Sequence, residues 1–380
     1  MQNTYKMGHL ELIRKLNMSL ILDTIKEKQP ISRAQIAKIL NLSKTTVGSA
    51  VDEMIAKKLI VEYSETGSTT GAGRPSMMLS FNPKSAYCIG MDIGGTKILT
   101  IITDLAGSII YEKKVPTTNK MEELFALVDQ SIAEVGLKED MIFGLGIGVP
   151  GTVLPSGNVV RAKALKWNNL PLQEIFNEHY SFPVCVGNDV NLAAMGERWL
   201  GSGGKADEMV FISIGTGIGC AVISNGQLLY GYEGRCGEIG YYLESEDVKS
   251  GHVNQLGKPG VFETKCSGSA LDSETGAAED LLRAYSRGED AAIVRVDRYI
   301  LDLSVAIANT VSLLNPSKVV IGGGVADSLG AAVPRIREEV ARLTPLGADV
   351  CLASLGCKAG ALGAIAFALV QIEQQDLKVR

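Results

Sequence analysis

The spacing of apolar residues divides the chain into a helical front segment and a longer body. Across residues 9–28 the apolar positions fall on one helical face, and Pro30 ends the run. Past Phe81 the pattern changes to short apolar strands that alternate with amphipathic helices, as in α/β proteins. The sequence therefore predicts a small helical domain followed by an α/β body. The apolar positions of the first helix are Leu12, Ile13, Leu16, Leu20, Ile21 and Ile25.

Two serines mark the starts of further helices in the front segment. Ser32 and Ser43 are good N-caps for helices over residues 33–40 and 44–58. In the later helix, apolar residues form a stripe that we expect to be buried, and short polar side chains near the N-terminal end remain exposed. The stripe consists of Val47, Val51, Met54 and Ile55, and the exposed residues are Lys44, Thr45, Thr46 and Ser49.

A predicted pair of strands follows the third helix. Residues 59–63 and 77–81 are mostly apolar, and a tip rich in Gly, Ser and Thr joins them. This order predicts a winged helix-turn-helix domain over residues 1–82, whose third helix enters the major groove of DNA while Arg74 reaches phosphate or the minor groove. The alternative is a helical docking module with a flexible linker. The predicted DNA contacts are Arg33, Lys44, Thr45, Thr46, Ser49 and Arg74.

Two hairpins with small, hydroxylated tips occur in the body. The first is Asp92-Ile93-Gly94-Gly95-Thr96-Lys97, directly behind an apolar strand, and the second is Gly215-Thr216-Gly217. Glycines let backbone amides approach phosphate oxygens, threonine adds a hydroxyl donor, and an acid can hold a metal or a water. Ordinary hairpin turns are the alternative. Two lobes that clasp a nucleotide from both sides would need such a pair.

Three further segments place candidate ligand contacts at strand ends. Asp189, directly after Asn188, can take a proton from a substrate hydroxyl, or else serve only as the N-cap of the next helix. A tight turn at Gly151 brings backbone close to a small ligand. The run Gly322-Gly323-Gly324 leaves bare backbone against which an adenosine can lie.

Length and charge restrict the class of protein. A chain of 380 residues is too long for one core and predicts two or three domains. Residues 1–82 carry 11 Lys and Arg against 7 Asp and Glu, whereas the remainder carries 26 against 35. The basic front gives modest support to an anionic partner. Neither an apolar run of about 18 residues nor a signal peptide is evident, so we expect a cytoplasmic protein without a membrane partner.

Together these motifs resemble the ROK family (repressors, open reading frames and sugar kinases), in the branch where a winged helix precedes a kinase-like body. The resemblance extends from the first helix to residues 360–363. The motifs that carry it are Asp92-Ile93-Gly94-Gly95-Thr96-Lys97, Asn188-Asp189, Gly215-Thr216-Gly217-Ile218-Gly219, Gly237-Glu238-Ile239-Gly240, and Asn315-Pro316 with Gly322-Gly323-Gly324.

The resemblance implies an α/β, actin-like, two-lobed ATPase fold with a sugar in the cleft. It implies a first lobe over residues 83–190, joined by a C-terminal helix over 361–380, and a second lobe over 191–360. Asp189 would be the catalytic base. The implied sugar contacts are Gly151, Asn188, Asp189, Glu238, Tyr241 and Glu263, and the implied nucleotide contacts are Asp92, Gly94, Gly95, Thr96, Lys97, Gly215, Thr216, Gly217, Gly323 and Gly324.

The chain departs from the family at its zinc site. Tyr241 stands in place of the family's histidine, and the cysteine positions of the following segment hold Asn254, Leu256 and Val261. Because all four ligands are missing, we predict that zinc is absent and that no other metal replaces it there. We expect apolar packing around Leu256, Val261 and Phe262 to take the place of the metal.

The surroundings of the sugar also differ from those in the family. Ala164 stands where some relatives carry a sugar-contacting Asn. Trp167 either packs on the ligand or belongs to the core. The identity of the sugar is therefore open.

Two functions fit these features. The first is a sugar-responsive transcriptional regulator, most simply a repressor of carbohydrate-utilisation genes, which binds operator DNA as a homodimer or homotetramer and needs no cofactor to do so. The second is an ATP-dependent sugar kinase of the glucokinase or N-acetylhexosamine kinase type, using Mg²⁺, with an added DNA-binding module. The retained Asp92 and Asp189 keep the kinase open. The lost zinc ligands and altered sugar contacts favour the regulator.

Overall fold

The computed structural model describes residues 2–64, 77–272 and 278–378. Its α-helices are α1 (Gln2–Lys28), α2 (Arg33–Leu40), α3 (Lys44–Ala56), α4 (Met121–Val135), α5 (Leu172–His179), α6 (Asp189–Leu200), α7 (Ser245–Lys249), α8 (Val261–Cys266), α9 (Gly268–Leu271), α10 (Ala278–Ser286), α11 (Asp290–Leu314), α12 (Val333–Leu343) and α13 (Ala359–Lys378). Its strands are β1 (Ile31–Ser32), β2 (Ile60–Ser64), β3 (Met77–Phe81), β4 (Tyr87–Ile93), β5 (Lys97–Asp104), β6 (Ile109–Pro116), β7 (Ile142–Val149), β8 (Thr152–Val153), β9 (Val159–Ala162), β10 (Trp167–Leu170), β11 (Val184–Asn188), β12 (Met209–Ile214), β13 (Ile218–Ser224), β14 (Gln227–Leu228), β15 (Lys318–Gly322) and β16 (Asp349–Leu352).

The front domain packs α1, α2 and α3 on a small sheet of order β1-β3-β2. Ser32 caps α2, since its hydroxyl accepts a hydrogen bond from the amide of Gln35 and the Gln35 side chain accepts one from the amide of Ser32. Ser43 caps α3 by accepting a bond of 3.0 Å from the amide of Thr46. The helix-turn-helix and the paired wing strands are therefore present as predicted, while residues 65–76, which include most of the wing tip, lie outside the described residues.

Only the second half of the apolar stripe on α1 is buried. Ile21 and Ile25 are inaccessible to solvent, whereas Ile13, Leu16 and Leu20 retain 52%, 44% and 50% of their exposure. The one-sided spacing of apolar residues therefore does not correspond to a continuously buried face on this helix. The reason is geometric, because the small core that α2, α3 and β3 complete reaches α1 only from about Met18 onward.

The first α/β layer of the body is a five-stranded sheet of order β11-β7-β4-β5-β6. β4, β7 and β11 run parallel, whereas β4, β5 and β6 form an antiparallel meander. A core of aliphatic and aromatic side chains lies between this sheet and the helices α4 and α5. Because the carboxyl ends of parallel strands meet at one edge, Asp92 pairs with Gly148 and Asn188 with Val149 at that edge.

A second five-stranded sheet, of order β14-β13-β12-β15-β16, forms the other half of the body. β12, β15 and β16 run parallel, and β13 returns antiparallel to β12. Its largest core lies against α10, α11 and α12. The tip between β12 and β13 and the glycines after β15 lie at the carboxyl edge of this sheet, which is where ligands bind in open α/β sheets.

The last helix, α13, is wedged between the first sheet and α6, and glycines permit the close contact. A Cβ atom on Gly90 of β4 or Gly146 of β7 would lie 2.0 or 1.9 Å from a carbonyl oxygen of α13. A Cβ atom on Gly363 would lie 1.6 Å from a carbonyl oxygen of α6. By length and composition α13 could cross a bilayer, but 61% of its most apolar stretch is buried, as in the core helix of a globular domain.

Among the described residues, contacts with the body are made by the front domain and by the segment that follows it. The amide of Leu105 donates a 3.0 Å hydrogen bond to the carbonyl of Pro83 in the connecting segment. On α13, the carboxylate of Glu373 lies 3.8 Å from the ammonium group of Lys26 on α1. The same helix that packs against α6 in the body therefore also contacts the front domain.

Candidate functional site

The tip of the first hairpin presents free backbone donors. Its shape is fixed from outside, because the hydroxyl of Thr117 donates to the carbonyl of Gly94 at 2.7 Å and the Thr117 amide donates to the carbonyl of Thr96 at 3.1 Å. The amide of Gly94 closes the turn onto the carbonyl of Lys97. Within the described part of the chain, the amides of Gly95 and Thr96 have no acceptor. Two such unpaired amides beside a hydroxyl suit a phosphate group.

Asp92, at the end of β4, lies under the first turn of α13. A Cβ atom on Gly360 would lie 2.5 Å from one of its carboxylate oxygens, and one on Gly148 would lie 3.4 Å from the other. No hydrogen bond reaches this carboxylate from the described residues, although it faces the cleft. Burial raises the pKa of Asp92 to about 7, and the negative charge of Asp189 adds to the rise. The carboxylate of Asp92 is therefore available to bind a metal ion or a protonated group.

Asn188 and Asp189 divide two roles between them at the junction of β11 and α6. Asn188 is the N-cap, since its side-chain oxygen accepts from the amide of Asn191 at 3.0 Å, while its amide group donates to the carbonyl of Gly151 and to Asp189. The idea that Asp189 is merely the cap is therefore wrong.

The carboxylate of Asp189 keeps one oxygen available. Its Oδ1 accepts from the amide of Val190 and from Asn188, both at 2.9 Å, and within the described part of the chain its Oδ2 has no partner. Burial raises the pKa of Asp189 to about 6, against these hydrogen bonds, which lower it. A carboxylate with a free oxygen and such a pKa can accept a proton from a hydroxyl.

A cavity of about 410 Å³ lies between the two sheets and joins these groups. It contains seven of the predicted contacts, namely Asp92, Gly94, Thr96, Lys97, Asp189, Gly323 and Gly324. Lys114, Asp327 and Cys357 also line it and were not predicted. Their position depends on how strands pair and how loops meet across the cleft, and no local motif contains that information.

The tip of the second hairpin lies outside this cavity. Its carbonyl groups are occupied by the segment that opens α9, because the Gly268 amide donates to Gly215 at 2.7 Å and the Ser269 hydroxyl donates to Thr216 at 2.8 Å. Gly217 instead approaches the sugar side, where a Cβ atom on it would lie 2.4 Å from Oε1 of Glu263. Gly95 of the first hairpin also does not line the cavity. For these four residues a nucleotide contact stays a prediction.

The remaining predicted sugar contacts cluster beside the second hairpin. Glu263 accepts a 3.2 Å hydrogen bond from the amide of Gly260, and the negative charge of Glu263 acts on the nearby carboxylate of Glu238. Burial raises the pKa of Glu238, Arg235 opposes the rise, and Glu263 adds to it. The hydroxyl of Tyr241 lies 3.4 Å from the carbonyl of Lys258. These side chains offer the paired acceptors that vicinal sugar hydroxyls need.

Contacts across the cleft bring the two groups of acids towards each other. A Cβ atom on Gly219 of β13 would lie 2.8 Å from Val190, the neighbour of Asp189 on α6. At the opposite rim, Nζ of Lys163 donates a 2.8 Å hydrogen bond to the carbonyl of Gly257. The loop that carries Gly257 therefore spans the cleft to meet the first lobe.

Hydrogen bonds, rather than apolar packing, organise the loop that has lost the zinc ligands. The side chain of Asn254 donates to the carbonyl of Tyr241 and accepts from the amide of Val261, and so ties the two ends together. Leu256 is 81% exposed, so the expected packing around it is wrong, while Phe262 is buried. Below the loop, Lys265 pairs with Asp247 at 2.6 Å. Among the described residues, no group of three or more His, Cys, Asp or Glu could hold a metal.

Trp167 belongs to the core. It is 7% exposed, and its indole N–H lies 3.3 Å from the carbonyl of Asn119. Ala164 instead lies against the first hairpin, since a Cβ atom on Gly95 would be 3.5 Å from the Ala164 methyl group.

The predicted DNA contacts divide into three cases. Lys44, Thr45 and Ser49 are exposed on the first turns of α3, and Thr46 is half-buried with its hydroxyl 2.8 Å from that of Ser43. The guanidinium of Arg33 instead forms ion pairs inside the domain, at 2.7 Å to Asp52 and 3.3 Å to Glu62, which join α2 to α3 and β2. Arg74 lies outside the described residues.

Comparisons with known proteins agree with this architecture. A model of the ROK family matches residues 88–371, and a model of the winged helix-turn-helix DNA-binding domain matches residues 15–61. The chain is 30% identical over 342 residues to the xylose repressor of Caldicellulosiruptor bescii, covering 83% of this chain and 85% of that one. It is 33% identical over 319 residues to a glucokinase of Halalkalibacterium halodurans, covering 73% and 93%.

A solved structure shares the whole arrangement. The crystal structure of a ROK family transcriptional regulator, a homologue of the E. coli Mlc protein, superimposes with a TM-score of 0.81 at 22% identity, covering 97% of this chain and 100% of that chain. The fold is therefore the actin-like, two-lobed sugar-kinase fold preceded by a winged helix-turn-helix. The chain belongs to the ROK family.

Proposed function

We propose that this protein is a transcriptional repressor of carbohydrate-utilisation genes that responds to a sugar. The observation that carries the proposal is that an exposed recognition helix and a sugar-type cleft occur on one chain, and that α13, which begins at the cleft, contacts α1 of the front domain. A relative that matches 83% of this chain is a xylose repressor. The protein would act in the cytoplasm, where its operator DNA lies.

The cleft supplies the means of switching. A sugar held by Asp189 and Asn188 on one side and by Glu238 and Glu263 on the other must favour one arrangement of the two lobes, and it shifts the protein only by that difference in affinity. Two copies related by a two-fold axis would place their α3 helices in successive major grooves, about one helical turn apart. We therefore expect a homodimer, or a homotetramer built from such dimers, on a palindromic site.

Fluorescence anisotropy with labelled promoter fragments from neighbouring sugar-utilisation genes tests the DNA-binding part. Replacing exposed Lys44 and Thr45 by Ala should weaken binding about tenfold or more and reduce the salt slope by about one for the lost cation. Replacing Thr264, whose hydroxyl bonds within α8, is the control and should change nothing. Unchanged affinity of the Lys44→Ala, Thr45→Ala variant would refute the recognition-helix assignment.

A panel of sugars added to the same complexes tests the response. We expect at least one sugar to lower the affinity for DNA, and we expect Asp189→Asn to lose this response while it still binds DNA. If no sugar in a panel of pentoses, hexoses and N-acetylhexosamines changes the affinity for DNA, the sugar-responsive part of the proposal is wrong.

An ATP-dependent sugar kinase is the second candidate, and the state of Asp189 favours it. This carboxylate has a free oxygen and a pKa of about 6, near that of a working general base. Mg²⁺ prefers oxygen ligands, and Asp92 together with phosphate oxygens could hold it. Phosphoryl transfer measured over a sugar panel with MgATP decides the matter. Turnover of about 1 per second or more that Asp189→Asn abolishes would establish a kinase.

A further inference from the structure

Two neighbouring lysines on β6 have opposite environments. In the pairing of β5 with β6, Lys114 stands opposite Leu99 and Lys113 opposite Thr100. Because side chains alternate between the faces of a strand, the two lysines point to opposite sides. Nζ of Lys113 lies 2.6 Å from Glu134 on α4, whereas Lys114 lines the cavity together with Lys97 and Leu99.

The cavity side of β5 and β6 carries positive charge that the protein itself does not neutralise. Glu112, on the same face, is already paired with Lys358 at 2.7 Å. Within the described residues, the ammonium groups of Lys97 and Lys114 form neither a hydrogen bond nor an ion pair. Lys114 pairs with Leu99, which lies two residues after Lys97 on β5, so the two lysines are offset by roughly 7 Å along the strands.

The rest of the cavity restricts what these cations can meet. Thr96 of the first hairpin, whose amide is free within the described residues, lines one side, and the bare backbone of residues 322–324 lines the side formed by the second sheet. The acids in the cavity are Asp92, Asp189 and Asp327. A ligand that complements this lining has several negative charges in a row for the lysines and a flat group that packs on the glycines. It also binds together with a cation, which the aspartates can coordinate. A nucleoside di- or triphosphate with Mg²⁺ has these properties.

We propose that Lys114 binds the phosphate chain of a nucleotide in this cavity, beside Lys97, and so sets the preference of the protein for nucleotides with more than one phosphate. The inference rests on the nucleotide site considered for the kinase above and does not require catalysis. In a repressor it would make the nucleotide a second ligand of the cleft beside the sugar.

Isothermal titration of the full-length protein with MgATP, MgADP, adenosine and inorganic tripolyphosphate tests the proposal. Lys114→Met should weaken MgATP binding about three- to tenfold at low ionic strength and less at high, because the ion pair is partly exposed to solvent. Lys114→Arg should retain most of the affinity. Lys113→Met is the matched control, a neighbouring lysine on the opposite face, and should bind MgATP like the wild type. Adenosine, which has no phosphate, should bind all four proteins equally.

The outcomes separate this inference from the proposals it rests on. If MgATP binds the wild type and Lys114→Met equally, or if Lys114→Arg loses as much affinity as Lys114→Met, the role of Lys114 is refuted while the nucleotide site stands. If MgATP does not bind the wild type, the nucleotide site is refuted as well, and the sugar response measured on DNA is unaffected. Tripolyphosphate binding that depends on Lys114 would support the inference and show that the phosphate chain suffices.

Discussion

Asp92 offers a sharp test of the electrostatics of the cleft, because its folded environment opposes its charge. Its pKa is 3.8 in the unfolded chain and about 7 in the folded protein. A raised acid pKa means that stability from this group is fully present below pH 3.8 and is lost as the pH rises through 7. The difference between these two pKa values corresponds to about 4 kcal/mol in the free energy of unfolding at pH 8.

Replacing Asp92 by Asn removes the titration and leaves the shape. We expect the free energy of unfolding of Asp92→Asn to be about 2–4 kcal/mol higher than that of the wild type at pH 8. At pH 4 we expect the two free energies of unfolding to be nearly the same. Urea unfolding followed by tryptophan fluorescence suits the measurement, because both tryptophans, Trp167 and Trp199, lie in the body and report its unfolding alone.

A second buried aspartate on the same sheet provides the control. Asp104 is 3% exposed, and one of its oxygens accepts hydrogen bonds from the amides of Ala106 and Ser108 at 3.0 and 2.9 Å. Asp104→Asn should therefore destabilise the body by about 1 kcal/mol, since charge-assisted bonds become neutral ones. If Asp92→Asn is no more stable than the wild type at pH 8, or keeps its advantage at pH 4, the reasoning is wrong.

Three further predictions concern packing and coupling. Gly363→Ala should lower the free energy of unfolding by about 3 kcal/mol or more, and with it the melting temperature, because its Cβ would lie 1.6 Å from a carbonyl oxygen. Gly330→Ala is the control and should be neutral, since nothing lies within 4 Å of its Cβ. Equal melting temperatures of the two variants would contradict this prediction. Asn254→Ala should cost about 1–3 kcal/mol and weaken sugar binding in titration calorimetry, because a backbone amide loses its acceptor. The double substitution Lys26→Met, Glu373→Gln should reduce the ratio of DNA affinities measured without and with sugar by about two- to fivefold. An unchanged ratio would show that this contact carries no coupling.

Sequence reasoning succeeded where the chemistry is local. The turn at Gly94 to Thr96 follows its strand directly, so its composition and its geometry are determined within a few residues. The caps at Ser32 and Ser43 are local in the same sense, and both helices begin where the sequence predicts. The pairing of Asn188 with Asp189 at a strand end also identified both residues, although only the structure shows that Asn188 is the cap.

Features that depend on tertiary contacts could not be predicted. Arg33 appeared free for DNA because Asp52 and Glu62, its partners, are 19 and 29 residues away in the chain. Lys114 lies in a run of alternating residues on an antiparallel strand, and only the opposite sheet shows that its face forms a cavity wall. Leu256 was expected inside because it is apolar, but the hydrogen bonds of Asn254 already hold the loop and leave Leu256 in solvent.

The position of α13 allows it to transmit movement from the cleft to the DNA-binding domain. The helix begins over Asp92 in the cleft, and Glu373, which contacts the DNA-binding domain, lies 14 residues from its start, or roughly 21 Å along the helix axis. Glycine contacts on two sides prevent it from bending or shifting independently of its neighbours. A rotation of roughly 5° about the cleft end of the helix would displace Glu373 by roughly 2 Å. A rearrangement of the lobes around a bound sugar would thereby reach α1, and through the shared core of the front domain the recognition helix α3.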